Sequence, residues 1–200
     1  KPVCCIGGHC RLKRKNRMGI KEEKAAIRAK ISDFCIPPEE RIMASVAVCS
    51  RLHARVEWGS AGTVLLYAPF SDELNVLLLM SSGKRFCFPR YQADRGYHAA
   101  YASSPEALVP GNFGVAEPPV DAVEIPACEV DFVVVPGVAF GMDCHRLGRG
   151  LGFYDRWLTK LAGQKIGVGF DHQLIESVPC EEHDVQLDGV ATPSRWVEPD

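Results

Sequence analysis

The chain reads as an α/β domain built on a central, mostly parallel sheet, and three observations predict it. Helical patterns alternate with short, unbroken apolar runs of strand length, as strands buried on both faces require. Of the 200 residues, 46% are hydrophobic and 24% charged, the balance of a single globular domain with a substantial core. Finally, the chemically loaded clusters Asp72-Glu73, Pro89-Arg90-Tyr91, Arg146 to Asp155 and His172 each follow an apolar run, where open α/β sheets hold their ligands.

Apolar spacing predicts a first helix over residues 21–34, with Ile27, Ile31 and Phe34 as its stripe and Lys24 and Arg28 one turn apart beside it. Pro37-Pro38 stops it, and Pro38 suits the first position of a second helix reaching residue 56. A turn at Ser60-Ala61-Gly62 leads to a strand over 63–68 ended by Pro69, then a helix over 74–80. A strand over 84–88 is expected to end at Pro89. Residues 93–121 read as loop with one short strand near 97–102, and strands follow at 130–135, 165–170 and 185–191.

Charge is unevenly placed. Residues 1–17 carry six Lys and Arg and no acid; against a whole-chain charge of −2, this leaves −8 on the remainder. Residues 1–17 are expected to form a disordered, basic, cysteine-containing extension, with the domain at 18–200. The acidic body gives no reason to expect nucleic-acid binding. No apolar run approaches the roughly 18 residues of a membrane span, so no membrane partner is expected. Six of the nine cysteines are scattered through expected core elements, which suits a reducing cytoplasm, with an organellar matrix as the alternative. Cys4, Cys5, His9 and Cys10 form a denser knot, but adjacent cysteines are poor geometry for zinc.

The most informative segment is Arg146-Leu147-Gly148-Arg149-Gly150-Leu151-Gly152-Phe153-Tyr154-Asp155, set between a buried apolar run and a helical pattern through Trp157, Leu158 and Leu161. Alternating glycines let backbone approach an anion, arginines bond phosphate oxygens, and a helix start adds free N–H groups. A glycine-rich turn with solvated arginines is the plain alternative. Lys24 and Arg28 can clamp a polyphosphate or simply form a solvated helix face. Asp155 and Asp184 suit a hard divalent cation, or serve as helix-start and loop acids, with Asp188 as a competitor. Glu73 can accept bonds from an amino-substituted heterocycle, or stand beside a helix cap. Tyr91 and Tyr154 can orient a ligand or pack. Nucleophile-elbow, Walker and zinc-helix motifs are absent from the sequence.

These residues resemble the 5-formyltetrahydrofolate cyclo-ligases. The strongest match is Val135-Pro136-Gly137-Val138-Ala139-Phe140 leading into the segment from Arg146 to Arg156, close to the family's "VPGLAFD" and "RLGxGxGYYDR". Pro38-Glu39-Glu40-Arg41, the stretch from Pro110 to Pro118, and His183-Asp184-Val185 resemble its "PEER", "PGxFGIxEP" and "HDV".

The resemblance implies a three-layer α/β/α fold in a monomer. It also implies a magnesium- and ATP-dependent conversion of 5-formyltetrahydrofolate, with polyglutamylated forms as candidate substrates, to 5,10-methenyltetrahydrofolate. Carried over, Lys24, Arg28 and the run Arg146, Leu147, Gly148, Arg149, Gly150, Leu151, Gly152, Phe153 and Tyr154 match ATP contacts. Ala68, Glu73, Tyr91 and Arg149 to Phe153 match folate contacts, and Asp155 and Asp184 match magnesium ligands. Arg149 and Tyr91 are the expected catalytic residues. Gly141 stands where the family carries aspartate, and Cys144 where glycine is usual, so a binding module of the same fold without turnover is the alternative.

Overall fold

The computed structural model describes residues 19–150, 152–181 and 184–199, and all but the Ser82 and Phe153 side chains within them. The expected extension at 1–17 lies outside the described residues, as do Leu151 and His183.

Helix α1 spans Ile20–Ser32, opened by a bond from the Gly19 N–H to Glu22 (3.1 Å). Helix α2, Pro38–His53, carries Pro38 in its first turn and buries Ala44, Ser45, Val48, Cys49 and Leu52, the spacing of one face. The expected single helix to residue 56 breaks there, and a short α3 follows at Val56–Ser60. Strand β1 is Thr63–Leu65, and the expected helix at 74–80 is a 3-10 helix, Val76–Ser82.

Strand β2 (Arg85–Gln92) runs straight through Pro89 into an antiparallel pairing with β3 (Gly96–Tyr101). The expected stop fails because β1 pairs with β2 only as far as Cys87. Past that point β1 no longer pairs with β2, and a residue without an N–H is tolerated where no neighbouring strand needs one.

The loop-rich interval holds β4 (Val109–Pro110), β5 (Ala116–Glu117) and β6 (Glu124–Ile125). Then come β7 (Phe132–Pro136), β8 (Ala139–Gly141), β9 (Arg146–Leu147), α4 (Phe153–Leu158) and β10 (Gln164–Val168). The chain closes with β11 (Leu174–Ile175), β12 (Gly189–Ala191) and β13 (Trp196–Val197).

The main sheet has the order β13-β12-β10-β7-β1-β2-β3-β6. Its five central strands, β12 to β2, pair in parallel, and the antiparallel pairs lie at the two edges. Strand alternation splits the core in two. Val64, Phe86, Phe88, Phe132 and Val134 pack with Val48, Leu52 and Trp58 of α2 and α3 on one face. Leu65, Cys87, Val133 and Val135 pack with Trp157 and Leu158 of α4 on the other. Three layers result, as expected.

A second, three-stranded sheet (β11-β8-β9) stands beyond the end of β7, and α1 leans on it through Ile31, Ala139, Leu147 and Val178. This docking brings Lys24 and Arg28 to the carboxyl end of the main sheet. Among the described residues no helix is long and apolar enough to cross a membrane.

Candidate active site

Strand β7 ends at Pro136, and β8 and β9 turn the chain back so that the glycine loop hangs over the sheet's carboxyl edge. Beneath the loop lies a cavity of about 580 Å³. Lys24, Arg28, Ala68, Glu73, Arg146, Leu147, Gly148, Arg149, Gly150, Gly152, Tyr154, Asp155 and Asp184 all line it. Of the expected site residues with described side chains, only Tyr91 is not in the lining. Tyr91 sits just behind, edge-on to Tyr97 (5.4 Å) and to Phe113 (5.1 Å), both of which do face the cavity.

The positive end is built in two tiers. Lys24, buried, gives its ammonium to Asp184 (2.7 Å) and Glu181 (3.0 Å). Burial alone would lower its pKa, but the hydrogen bonds and charges of Asp184 and Glu181 outweigh that and raise it, so the lysine stays charged. Arg28 donates from Nε to the Gly148 carbonyl (2.9 Å), tying α1 to the loop. Arg146 is buried; it bonds the Pro136 carbonyl (3.1 Å) and Asp155 (2.5 Å), and its guanidinium lies 5.1 Å from the Tyr154 ring centre.

Glycine has a visible reason at two of the loop positions. A Cβ at Gly148 would come within 2.9 Å of the Arg146 guanidinium, and Gly150 has φ +107°, a conformation side chains rarely adopt. Helix α4 has only six residues, so Lys24 and the arginines, more than a helix dipole, supply the positive field.

Arg149 crosses the cavity mouth. It donates to Asp72 (2.9 Å) and Glu73 (3.0 Å), and its guanidinium lies 4.8 Å from the Phe70 ring centre. Burial raises the Glu73 pKa, while the Phe70 N–H and Arg149 pull the other way without cancelling it. The rings of Tyr67, Tyr97, Phe113 and Tyr154 also line the cavity. The Tyr154 hydroxyl is buried and, among the described residues, makes no hydrogen bond. Its pKa is pushed up by that burial.

Sequence reasoning passed over Tyr97, Phe113, Glu117 and Glu181. Glu117 is buried and accepts the N–H of Asn112 (3.2 Å) and of Tyr91 (3.4 Å). The stretch from Pro110 to Pro118 drew notice as a unit, without a role for its acid. Glu181 carried no local signal, since it meets Lys24 across 157 residues.

The two departures in the turn before the loop have different surroundings. A Cβ at Gly141 would fall 2.1 Å from an Asp143 carboxylate oxygen, so Asp143 fills the space a side chain at 141 would need. Cys144, at the usual glycine position, holds φ +60° with its thiol buried, a conformation that explains why glycine suits the place.

A family model described as the 5-formyltetrahydrofolate cyclo-ligase family matches residues 12–193. The 5-formyltetrahydrofolate cyclo-ligase of Mycolicibacterium smegmatis is 34% identical over 151 residues, covering 69% of this chain and 77% of that protein. The Escherichia coli enzyme of the same name is 34% identical over 146 residues, covering 68% and 80%. The solved 5,10-methenyltetrahydrofolate synthetase of Aquifex aeolicus is 30% identical and superposes with a TM-score of 0.78 over 90% of this chain and 93% of that one. The match spans both core faces and the loop-bearing edge: the chain belongs to the 5-formyltetrahydrofolate cyclo-ligase family.

Proposed function

We propose that this cyclo-ligase converts 5-formyltetrahydrofolate to 5,10-methenyltetrahydrofolate at the expense of ATP, in the cavity beneath the glycine loop. One observation carries the reading: a single cavity joins five cationic side chains (Lys21, Lys24, Arg28, Arg146, Arg149) to a carboxylate, Glu73, among aromatic rings. The first end suits a triphosphate. The second suits a flat heterocycle bearing N–H donors, with Glu73 accepting them and the Tyr154 hydroxyl offering a bond it does not make among the described residues.

The chemistry follows from placing the two together. A formyl oxygen on N5 is a poor leaving group. Its attack on the γ-phosphoryl group of ATP releases ADP and leaves an iminium phosphate at N5. N10 of the same molecule then attacks the formyl carbon at high effective concentration, and the ring closes as phosphate departs carrying the proton that N10 gives up. Arg149 bonds the transferring phosphoryl oxygens while Arg146 and Arg28 hold the loop in place. Tyr91 acts from behind Tyr97 and Phe113 by setting the ring wall.

Asp155 and Asp184 fit magnesium in donor type, being two carboxylates around an expected phosphate site. Each already bonds a cation, Arg146 and Lys24 respectively, so both would share their oxygens. When bound, the ion offsets negative charge on the triphosphate. A monomer acting in the cytoplasm, on polyglutamylated as well as simple folate, completes the proposal.

The test is formation of the methenyl chromophore from 5-formyltetrahydrofolate, with and without magnesium-ATP. Turnover that requires ATP supports the reading. Folate binding with no ADP release would make the chain a binding module instead.

A further inference from the structure

Behind the loop, away from the cavity lining, three side chains of different chemistry converge. Asp143 and His145 sit in the turn between β8 and β9, and Cys180 in the segment that follows β11. Their ligand atoms all lie within 4.8 Å of one another.

The Nδ1 of His145 is 3.3 Å from an Asp143 carboxylate oxygen, yet it is buried and forms no well-aligned hydrogen bond among the described residues. The backbone around it is fixed: the Gly141 N–H bonds the His145 carbonyl (2.9 Å), and the Gln186 amide bonds the Asp143 carbonyl (3.0 Å). Asp143 reaches this place because residue 141 has no side chain to obstruct it.

We propose that Asp143, His145 and Cys180 form a binding site for one thiophilic divalent cation of the zinc class. Donors around tetrahedral zinc stand roughly 3.3 Å apart for a nitrogen–oxygen pair and roughly 3.6 Å for a pair with sulfur, given metal–ligand distances of about 2.0–2.3 Å. The Asp143–His145 pair already has that spacing at 3.3 Å, and with all ligand atoms within 4.8 Å of one another, Cys180 needs to move by at most about 1.5 Å. A mixed sulfur, nitrogen and oxygen set selects zinc over magnesium, which takes oxygen alone. Three protein ligands leave a fourth position for water.

On binding, the Cys180 thiol releases its proton to solvent and exchanges its bond to the Val178 carbonyl (3.0 Å) for the metal. In the metal-free protein, burial and the Asp143 charge keep that thiol protonated. A cation here ties the turn ahead of the arginine loop to the segment whose next residue, Glu181, holds Lys24.

Cobalt titration of the full chain tests this, with Cys4, Cys5 and Cys10 replaced by serine so that they cannot contribute sulfur. The expected result is a thiolate-to-cobalt charge-transfer band that saturates at one equivalent and is erased by zinc. An oxygen-only site at Asp155 and Asp184 gives no such band, so failure here is separable from failure of the substrate reading. Cys180→Ser keeps a donor to Val178 and loses the band. His145→Gln weakens cobalt affinity tenfold or more, with folding checked by circular dichroism. No saturable band in the parent chain overturns the site, as does a band unchanged in Cys180→Ser.

Discussion

Two arginines three residues apart on one loop have opposite surroundings. The Arg146 side chain is 5% exposed and locked between a carbonyl, a carboxylate and a tyrosine ring; that of Arg149 is 48% exposed and reaches over the cavity mouth to acids on another loop. A buried cation bonded on several sides is a structural part, because removing it strands its partners. An arginine held at a half-open mouth can exchange its carboxylates for phosphoryl oxygens at little cost to the fold. The loop thus divides its charge: Arg146 shapes the backbone, and Arg149 is the arginine free to meet the ligand of the proposed reaction.

Arg149→Ala puts that division at most risk. Loss of one preorganised donor to a developing charge typically lowers kcat by about 10²–10³. The variant should show that loss with a melting temperature near the parent's; normal kcat would remove Arg149 from the chemistry. Arg146→Ala should do the reverse first, costing about 3 kcal/mol of stability in denaturant titration as Asp155 is left without its partner. Gly148→Ala crowds the same guanidinium and should cost about 1–2 kcal/mol. If that crowding is its whole effect, adding it to Arg146→Ala costs nothing further. Additive losses would mean that the glycine serves something other than Arg146.

The contrast also marks what the chain discloses before folding. α2 was legible because its burial repeats at a helical period, and β7 because an unbroken apolar run marks a strand buried on both faces; α1 was legible as a helix, although Phe34 of its expected stripe lies past its end and is exposed. The loop was legible as a unit because its glycines and arginines alternate between a buried apolar run and a helical pattern. Tyr97 and Phe113 were not, since they reach the cavity only after β2 continues past Pro89 and pairs with β3, and that depends on where β1 stops pairing with β2. Glu181 and the Asp143–His145–Cys180 cluster depend on the second sheet, whose two- and three-residue strands are too short to show any period. The substitutions at Gly141 and Cys144 looked like separate departures; only the packing of Asp143 into the space at 141 gives the first of them a reason.

The smallest effect concerns Glu73, Arg149's partner on the far side of the mouth. Its folded pKa lies above the ordinary 4.5, so the native state holds this proton more tightly than the unfolded chain does. The group's contribution to stability is therefore complete at low pH and is lost as pH rises from the ordinary value through the raised one. Recognition of N–H donors on the substrate runs the other way, since only the carboxylate accepts them fully. As pH falls through the raised range, KM for the folate should rise while the melting temperature is, through this group alone, helped. Glu73→Gln should flatten both dependences and weaken folate binding roughly tenfold at neutral pH, the loss of one charge-assisted bond. A variant whose KM still climbs toward acid as the parent's does would place the titrating group elsewhere, and with it the substrate's amino edge.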